Sequence, residues 1–169
     1  MKDLLSFLNL FEHLDNLIMW LQQYNRVNRW LDRIRNISNP DNQVKPDDAM
    51  DYIIAFFQSC WHLKDWLMND QNIKVDERLI NNIKEFVEKK SKYIKISQNI
   101  ANGSKHLDFK NYGRLMSGLS AKIVVDQDSQ TWQSATYEFT QEGITYKVVD
   151  LAIQCFNEWE LFLRDNKLL

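Results

Sequence analysis

The sequence predicts a mainly α protein: a bundle of four to five helices with an antiparallel β-hairpin of two or three strands inserted before the C-terminal helix. Apolar residues recur every three or four positions along most of the chain, which is the spacing of a helix that buries one face. The 169 residues include only 4 glycines and 2 prolines, so long loops are not expected. Between about residues 121 and 148 the period changes to alternation, which is typical of half-buried strands. We expect one domain over residues 1–169, because a chain of this length can bury a substantial core.

The first predicted helix is defined by one apolar stripe that ends before Asn39 and Pro40. The stripe comprises Leu4, Leu8, Phe11, Leu14, Ile18, Leu21, Tyr24, Val27, Leu31 and Ile34. It forms either one unbroken helix, about 50 Å long at ~1.5 Å per residue, or shorter segments divided near Asn9 or within residues 22–28.

The second predicted helix follows a turn-rich connector, residues 38–47, and begins near Pro46. Acidic residues load its first turn, where they complement the helix dipole; they are Asp47, Asp48 and Asp51. Its buried face is predicted to comprise Met50, Ile53, Ile54, Phe57, Cys60, Trp61, Lys64, Leu67 and Met68. The helix is expected to end around Asn69 and Asp70.

The third predicted helix begins at Asp76 and carries apolar residues at helical spacing through Ile100. It either runs unbroken or bends near Ser91. We expect it to stop at Asn102-Gly103, because glycine readily adopts the left-handed conformation that closes many helices.

The region before the C-terminus reads as β-structure followed by a helix. Residues 122–126 are β-branched, and residues 132–140 alternate apolar with polar side chains. A turn at residues 141–143 leads to a returning strand that carries Ile144, Tyr146 and Val148. The last helix presents one apolar stripe, which comprises Val149, Ala152, Ile153, Phe156, Trp159 and Leu163, and it is expected to close the bundle.

The net charge of the chain is small, but the charged residues are unevenly distributed along the sequence. The formal net charge is −2, which argues against wholesale coating of nucleic acid. The segment from Lys89 to Arg114 contains seven basic residues and one acid, whereas the segment from Asp126 to Asp165 contains eight acids and two basic residues. The basic run is interpreted either as a solvated helix face or as a patch for an anionic partner. Trp30, flanked by Arg29 and Arg33, is expected on the exposed side of the first helix and is a candidate stacking platform for a base.

The sequence lacks the motifs that several classes of function require. The chain has no glycine-rich phosphate loop, no nucleophile elbow, and no pair of cysteines or histidines at zinc-binding spacing, so neither a cofactor nor a metal site is predicted. Cys60 and Cys155 cannot form a disulfide framework and read as helix interior, which suits a reducing compartment. No apolar run is long enough to span a bilayer. We therefore expect a cytoplasmic protein with no membrane partner.

The segment CWHLKDWL, residues 60–67, combines polar chemistry with helical order. His62 and Asp65 are three residues apart and lie along one side of the second helix, at the border of its apolar stripe. His62 should be half-buried. A carboxylate beside an imidazole raises its pKa and fixes its tautomer, as a general base or an RNA-contacting cation requires. The alternative is a histidine that is satisfied at a helix–helix contact.

The segment NIANGSKHL, residues 99–107, combines the predicted helix end with a cation and an imidazole. Lys105 and His106 could hold an anion such as a phosphate there, and Asn102 and Gly103 would form the turn. The alternative is a structural turn that needs only the Asn-Gly pair.

The second of these segments resembles HEPN domains, which are helical bundles of bacterial toxins, antiphage systems and RNA-processing factors. The resemblance rests on a histidine, His106, near the end of a bundle helix, preceded by Asn99 and facing another polar helix. Both segments also resemble uncharacterised bacterial proteins that carry HLKDW and NGSKH. RNA-cleaving members carry an arginine a few residues before the histidine, at 99–101 in this numbering, where this chain has Asn99, Ile100 and Ala101.

The resemblance implies a bacterial or mobile-element protein that binds RNA as a homodimer, and the missing arginine argues against nuclease activity. The binding residues would be Asn99, Asn102, Gly103 and Lys110. If cleavage occurs, His106 would act as acid or base, Lys105 would stabilise the phosphate, and His62 with Asp65 would assist.

The alternative is a non-catalytic protein-interaction module or a self-associating structural protein. Phe7, Leu10 and Leu17 lie off the main stripe of the first helix and would supply the apolar area for a protein partner or a second copy.

Overall fold

A computed structural model of the chain describes residues 18–37, 39, 42, 44–73, 75–105, 118–125 and 132–169. Within them it contains five α-helices and a three-stranded antiparallel sheet before the C-terminal helix, which confirms the predicted fold class. The helices are α1 Met19–Arg35, α2 Pro46–Asn69, α3 Glu77–Glu85, α4 Lys92–Lys105 and α5 Val148–Asp165. The strands are β1 Leu119–Val125, β2 Trp132–Gln141 and β3 Ile144–Lys147, and a π-helical turn, Phe86–Lys90, extends α3.

Helix α1 is continuous through residues 22–28, so the division considered there does not occur. The part of the predicted stripe before Ile18 lies outside the described residues, as does Asn9. The buried residues Val27, Leu31 and Ile34 belong to the predicted stripe.

The boundaries of α2 agree with the prediction, and so does the start of α3. Helix α2 begins at Pro46, with proline in the first turn where its missing N–H costs nothing, and ends at Asn69. Helix α3 follows Asp76, whose carboxylate accepts a hydrogen bond from the backbone N–H of Leu79 at 2.8 Å. Pro46 therefore marks the start of α2, and the Asp76 cap marks the start of α3.

The third predicted helix is broken at Ser91, as one of the two alternatives proposed. The π-helical turn ends there, and Ser91 has an extended backbone with φ −99° and ψ 105°. Its hydroxyl oxygen accepts a hydrogen bond from the N–H of Ile94 at 2.9 Å, which caps the N-terminus of α4.

The predicted helix end at Asn102-Gly103 is wrong, because α4 continues to Lys105. Gly103 is buried, and Gly143 is the one glycine with a positive φ among the described residues. A glycine inside a helix costs roughly 1 kcal/mol relative to alanine. Burial of Ile100 and Ala101 on the same turns offsets that cost.

The sheet has the order β1-β2-β3 and buries one face. Ala135, Tyr137 and Phe139 point inward, as their alternation predicts. Glu142 and Gly143 join β2 to β3 with φ values of 52° and 78°, the two left-handed positions of a type I′ hairpin turn. The returning strand is shorter than predicted: Val148 is the first residue of α5 and is buried against the bundle.

Helix α5 closes the bundle, as predicted. Trp159 at its centre is fully buried and donates its indole N–H to the carbonyl oxygen of Cys60 at 3.0 Å. Its ring packs edge-on against Phe86 of the π-helical turn, with 5.0 Å between ring centroids. Trp159 thereby ties α5 to α2 and to the π-helical turn. Among the described residues, none of the helices combines the length and the apolar character that a bilayer crossing requires.

Candidate nucleic-acid interface

His62 and Asp65 are one helical turn apart on α2. His62 is half-buried, as predicted. The Asp65 carboxylate accepts a hydrogen bond from the ammonium group of Lys64, with 2.5 Å between Nζ and Oδ1. The strong local partner of Asp65 is therefore the neighbouring lysine, which the sequence interpretation had placed on the buried face.

The residues singled out on α4 divide into those whose side chains the structure describes and those that it does not. Asn99 is exposed and donates its amide N–H to the side-chain oxygen of Gln141 on β2 at 2.9 Å. Asn102 is half-buried, Gly103 is buried inside the helix, and Lys105 is the last helical residue. His106 and Lys110 lie outside the described residues.

A groove of about 500 Å³ opens between α2, the α3–π segment (Glu77–Lys90) and α4. We call it the basic groove. Its walls carry three lysines, one from each of these elements, namely Lys64, Lys84 and Lys95. Glu88 is the one acid of its lining, so the lining residues carry a formal charge of 3 − 1 = +2, and the Lys64 ammonium group is also paired with Asp65, which lies outside the lining. The remaining lining residues are Trp61, Met68, Ile83, Val87 and Gln98.

The Lys64 ammonium group lies over the ring of Trp61, 4.4 Å from its centroid, and the Lys64 side chain is only 16% exposed. The aromatic face and the Asp65 carboxylate hold this cation in place at the edge of the groove. A positioned cation loses less side-chain freedom when an anion binds than a lysine that extends freely into solvent.

Helix α4 carries further polar positions between the basic groove and its C-terminal end. Lys95, Gln98, Asn102 and Lys105 follow one another at intervals of three, four and three residues, so these positions form one row on the helix. At ~1.5 Å per residue, the row is about 15 Å long.

Helices α4 and α2 both approach strand β2. The side-chain amide of Asn99 donates to Gln141 of β2. Burial raises the pKa of Tyr137, also on β2, and the Asp47 carboxylate in the first turn of α2 raises it further. Lys105 is about 10 Å along the row from Gln98, which lines the basic groove.

Trp30 does not form the exposed platform that the sequence suggested. It is half-buried and packs against the core. The guanidinium group of Arg33 lies 4.3 Å from its ring centroid, and the ring of Tyr52 lies 5.9 Å away. A base would have to displace Arg33 before it could stack on this ring.

Both cysteines are buried and free, in agreement with their prediction as helix-interior residues. The Cys155 thiol donates a hydrogen bond to the carbonyl oxygen of Tyr93, with 3.3 Å between Sγ and O. Burial, together with the neighbouring Cys60 thiol, raises the pKa of Cys155 well above its usual range. In the part of the chain that the structure describes, no three His, Cys, Asp or Glu side chains come together as metal ligands.

Sequence reasoning identified Trp61 and Lys64 but placed both on the buried face of α2, and it missed Lys84. One sequence pattern indicates part of this groove. Lys84, Val87 and Lys95 are placed at helical spacing, which the break at Ser91 interrupts once, so they can share one side of the two helical segments. Only the packing of three helices shows that these residues face Trp61.

Comparison with known proteins finds no matching family model, curated protein or solved structure.

Proposed function

We propose that this chain is a HEPN-like helical domain that binds RNA along the basic groove between α2 and α4. One observation carries the proposal: lysines from three separate elements, Lys64, Lys84 and Lys95, converge on one open groove beside a half-buried tryptophan. Phosphate groups attract such lysines and release bound counterions on contact, which is the main source of affinity for nucleic acid.

The preferred partner in this proposal is single-stranded RNA. The apolar side chains of Met68 and Trp61 line the groove, where Met68 and the part of the Trp61 ring that Lys64 does not cover can contact sugars and unstacked bases. A duplex would keep its bases paired and stacked, so their faces could not contact these side chains. The net charge of −2 limits the attraction to the groove and the row on α4, so we expect a short binding site.

Binding of a labelled single-stranded oligonucleotide, followed by fluorescence anisotropy over a series of salt concentrations, tests the proposal. Three phosphate contacts predict a slope of log K against log salt of about −2, since each contact to a single strand contributes roughly −0.7. The double variant Lys84→Glu with Lys95→Glu should weaken binding by more than about tenfold and flatten the slope.

The matched control is Lys122→Glu, which reverses an exposed lysine on β1 away from the groove. Equal loss of affinity in the control and in the double variant would show that the attraction is not local to the groove. An absence of binding in the wild-type protein at low salt would refute RNA binding altogether.

Binding without cleavage is the expected outcome, because the arginine that RNA-cleaving HEPN domains carry has no counterpart at residues 99–101. Incubation with RNA followed by gel analysis tests this expectation. If the wild-type protein cleaves RNA and His106→Ala abolishes cleavage while leaving binding intact, His106 is the acid or base and the expectation is wrong. Lys105→Ala should then lower the rate through loss of phosphate stabilisation.

A second candidate is a non-catalytic interaction module, and an apolar hollow favours it. Met19, Trp66 and the stems of Asp65 and Asn69 line a hollow of about 290 Å³, and Met19 is 38% exposed. Contact at such a surface responds weakly to salt, whereas RNA binding weakens steeply. The effect of salt on whatever partner is found therefore separates the two candidates.

A further inference from the structure

Helix α1 carries three exposed arginines on one side. Arg26, Arg29 and Arg33 follow one another at intervals of three and four residues, so their side chains leave the same side of the helix. We call these residues the arginine row, which is about 10 Å long at ~1.5 Å per residue. Among the described residues, none of the three forms an ion pair with a carboxylate. The row is therefore a set of cations available to a partner.

A buried glutamine positions the first arginine of the row. Gln23 is only 2% exposed. Its amide N–H donates to the backbone carbonyl oxygen of Ser59 on α2 at 2.8 Å, and its amide oxygen accepts a hydrogen bond from the Arg26 guanidinium group at 2.8 Å. The same guanidinium group lies 5.5 Å from the ring centroid of Trp66 on α2. Arg26 is thus exposed, yet two groups of the protein hold it in place.

Aromatic rings position the last arginine of the row. The Arg33 guanidinium group lies 4.3 Å from the ring centroid of Trp30 and 5.6 Å from that of Tyr52. A guanidinium group has five N–H donors, so contact with a ring leaves donors for a bidentate carboxylate partner. Arg26 and Arg33 are two helical turns apart, and both lose less side-chain freedom on binding than an arginine that extends freely into solvent.

An apolar hollow adjoins the start of the arginine row. Met19 precedes Arg26 by two helical turns and leaves the same side of α1. It is 38% exposed and lines the hollow of about 290 Å³ together with Trp66, the ring that Arg26 contacts. One strip of α1 therefore offers an apolar position followed by three cations. We call it the α1 strip.

The acids around the α1 strip lie at its ends or are already paired. Asp65 borders the hollow and neutralises a lysine. Asp32 on α1 is paired with Arg35, which lies outside the row. Asp48 and Asp51 lie within one turn of the tyrosine that the last arginine contacts, and neither forms an ion pair with the row. The middle of the strip is therefore cationic.

We infer that the α1 strip binds an acidic amphipathic helix of another protein. Acids at intervals of three and four residues on the partner helix face the three arginines one to one, because the two helices have the same rise per residue. A bulky apolar side chain of the partner, two turns from its acids, enters the hollow beside Met19. This interaction goes beyond RNA binding and does not depend on it.

Two features favour a protein helix over a nucleic acid at this strip. The half-buried ring of Trp30 is covered by Arg33, so it offers no open face on which a base could stack. The hollow beside Met19 accepts an aliphatic side chain, which nucleic acids lack. Carboxylates on a helix satisfy both the cations and the hollow.

Fluorescence anisotropy of a labelled synthetic peptide, titrated with the full chain, tests the inference. The peptide is an alanine-based helix of about 25 residues, long enough to be helical alone. It carries three glutamates at intervals of three and four residues, and a leucine two turns before and after them, so that either orientation places a leucine at the hollow. We expect a Kd on the order of 100 μM, because each exposed ion pair contributes little.

Two altered peptides separate the contributions of charge and of the hollow. A peptide with glutamine in place of each glutamate should bind about tenfold more weakly, since the three ion pairs are lost together. A peptide with alanine in place of both leucines should bind about fivefold more weakly, because nothing fills the hollow.

Charge reversal on the protein provides the decisive measurement. The double variant Arg26→Glu with Arg33→Glu should lose binding of the glutamate peptide and gain binding of a peptide that carries lysines instead, which the wild type should not bind. Loss of folding cannot produce this gain. The matched control is Arg35→Glu, a reversal on the same helix but outside the row, which should bind the glutamate peptide within about twofold of the wild type.

The inference is overturned if the wild-type protein does not bind the glutamate peptide at millimolar concentration, including the case in which a second copy or another segment of this chain covers the strip. Equal binding of the glutamate and glutamine peptides, or an equal loss in the Arg35→Glu control, also overturns it.

The RNA measurements distinguish this inference from the proposed function. If the Arg26 and Arg33 double variant loses as much RNA affinity as the Lys84 and Lys95 double variant, and no peptide binds, the row belongs to an RNA path and the inference is wrong. A wild-type protein that binds the glutamate peptide but no RNA supports the inference and refutes the proposed function.

Discussion

Asp70, just after α2, caps the N-terminus of α1 across 50 residues of sequence. Helix α1 begins after Ile18, which has no side chain able to accept a hydrogen bond from the first turn. The Asp70 carboxylate fills this role: one oxygen accepts the N–H of Trp20 at 2.8 Å, and the other accepts the N–H of Asn72 at 2.8 Å. Asp70 is only 3% exposed. We predict that Asp70→Ala strongly destabilises the protein.

The expected loss of stability follows from the backbone N–H groups that lose their acceptor when the Asp70 carboxylate is removed. Loss of a helix cap costs about 1 kcal/mol, and a buried N–H without an acceptor costs roughly 1–3 kcal/mol more. Asn72 is exposed, so water replaces the bond to its N–H. We expect a loss of about 3 kcal/mol in the free energy of unfolding, which lowers Tm by roughly 10 °C in a domain of this size.

Urea denaturation followed by far-UV circular dichroism gives the free energy, and calorimetry gives Tm. Asp70→Asn should lose about half as much, since it keeps one acceptor oxygen. The control is Asp32→Ala, which removes an exposed carboxylate that pairs with Arg35 at 3.1 Å and should change stability by less than ~0.5 kcal/mol.

If Asp70→Ala and Asp32→Ala are equally mild, α1 does not depend on the carboxylate, and the capping role is wrong. A large effect of Asp70→Asn equal to that of the alanine would instead show that the negative charge, and not the number of acceptor oxygens, holds the helix end.

Three further predictions concern pH, thiol chemistry and close packing. Burial and a hydrogen bond to Glu160 raise the pKa of Tyr24 above its usual value of 10.0. The stability that this provides is complete below pH 10 and is lost as the pH rises through the folded-state pKa. The variant Tyr24→Phe should therefore flatten the decline in Tm at alkaline pH. Cys60 and Cys155 are buried, and burial raises the pKa of Cys155. A disulfide-exchange reagent should therefore label the two thiols only in denaturant. Rapid labelling of the native protein would contradict this burial. Gly118→Ala should lower the free energy of unfolding by about 1–3 kcal/mol in urea denaturation, because the added Cβ would lie 2.5 Å from a backbone oxygen of β2. A loss below ~0.5 kcal/mol would show that the strand can move aside.

Sequence reasoning predicted most of the fold because the signals involved were local. Pro46 with the acids that follow it marked the start of α2, and Asp76 marked the start of α3, through side chains within a turn of the helix end. The strict alternation in β2 distinguished strand from helix. Where local and tertiary effects competed, as at Gly103, packing decided the outcome.

The candidate sites could not be predicted to the same extent, because they depend on which helix faces meet. Lys64 and Lys84 are 20 residues apart in sequence and share the basic groove only because α2 and α3 pack with these faces toward the same side. Arg78 and Asp165 line one groove only because α3 packs beside α5, and no short-range pattern encodes that packing. His62 was correctly expected to be half-buried, whereas the roles of Lys105 and His106 stay predictions.

The α3–π segment is a single wall with a surface on each side. Lys84 and Val87 line the basic groove, whereas Asn82 and Phe86 line a separate groove against α5, so the two surfaces are separated by the thickness of one helix. A shift of this wall that improves contact on one side must alter the geometry on the other. If occupancy of one side changes the affinity at the other, thermodynamic reciprocity requires an equal effect in return.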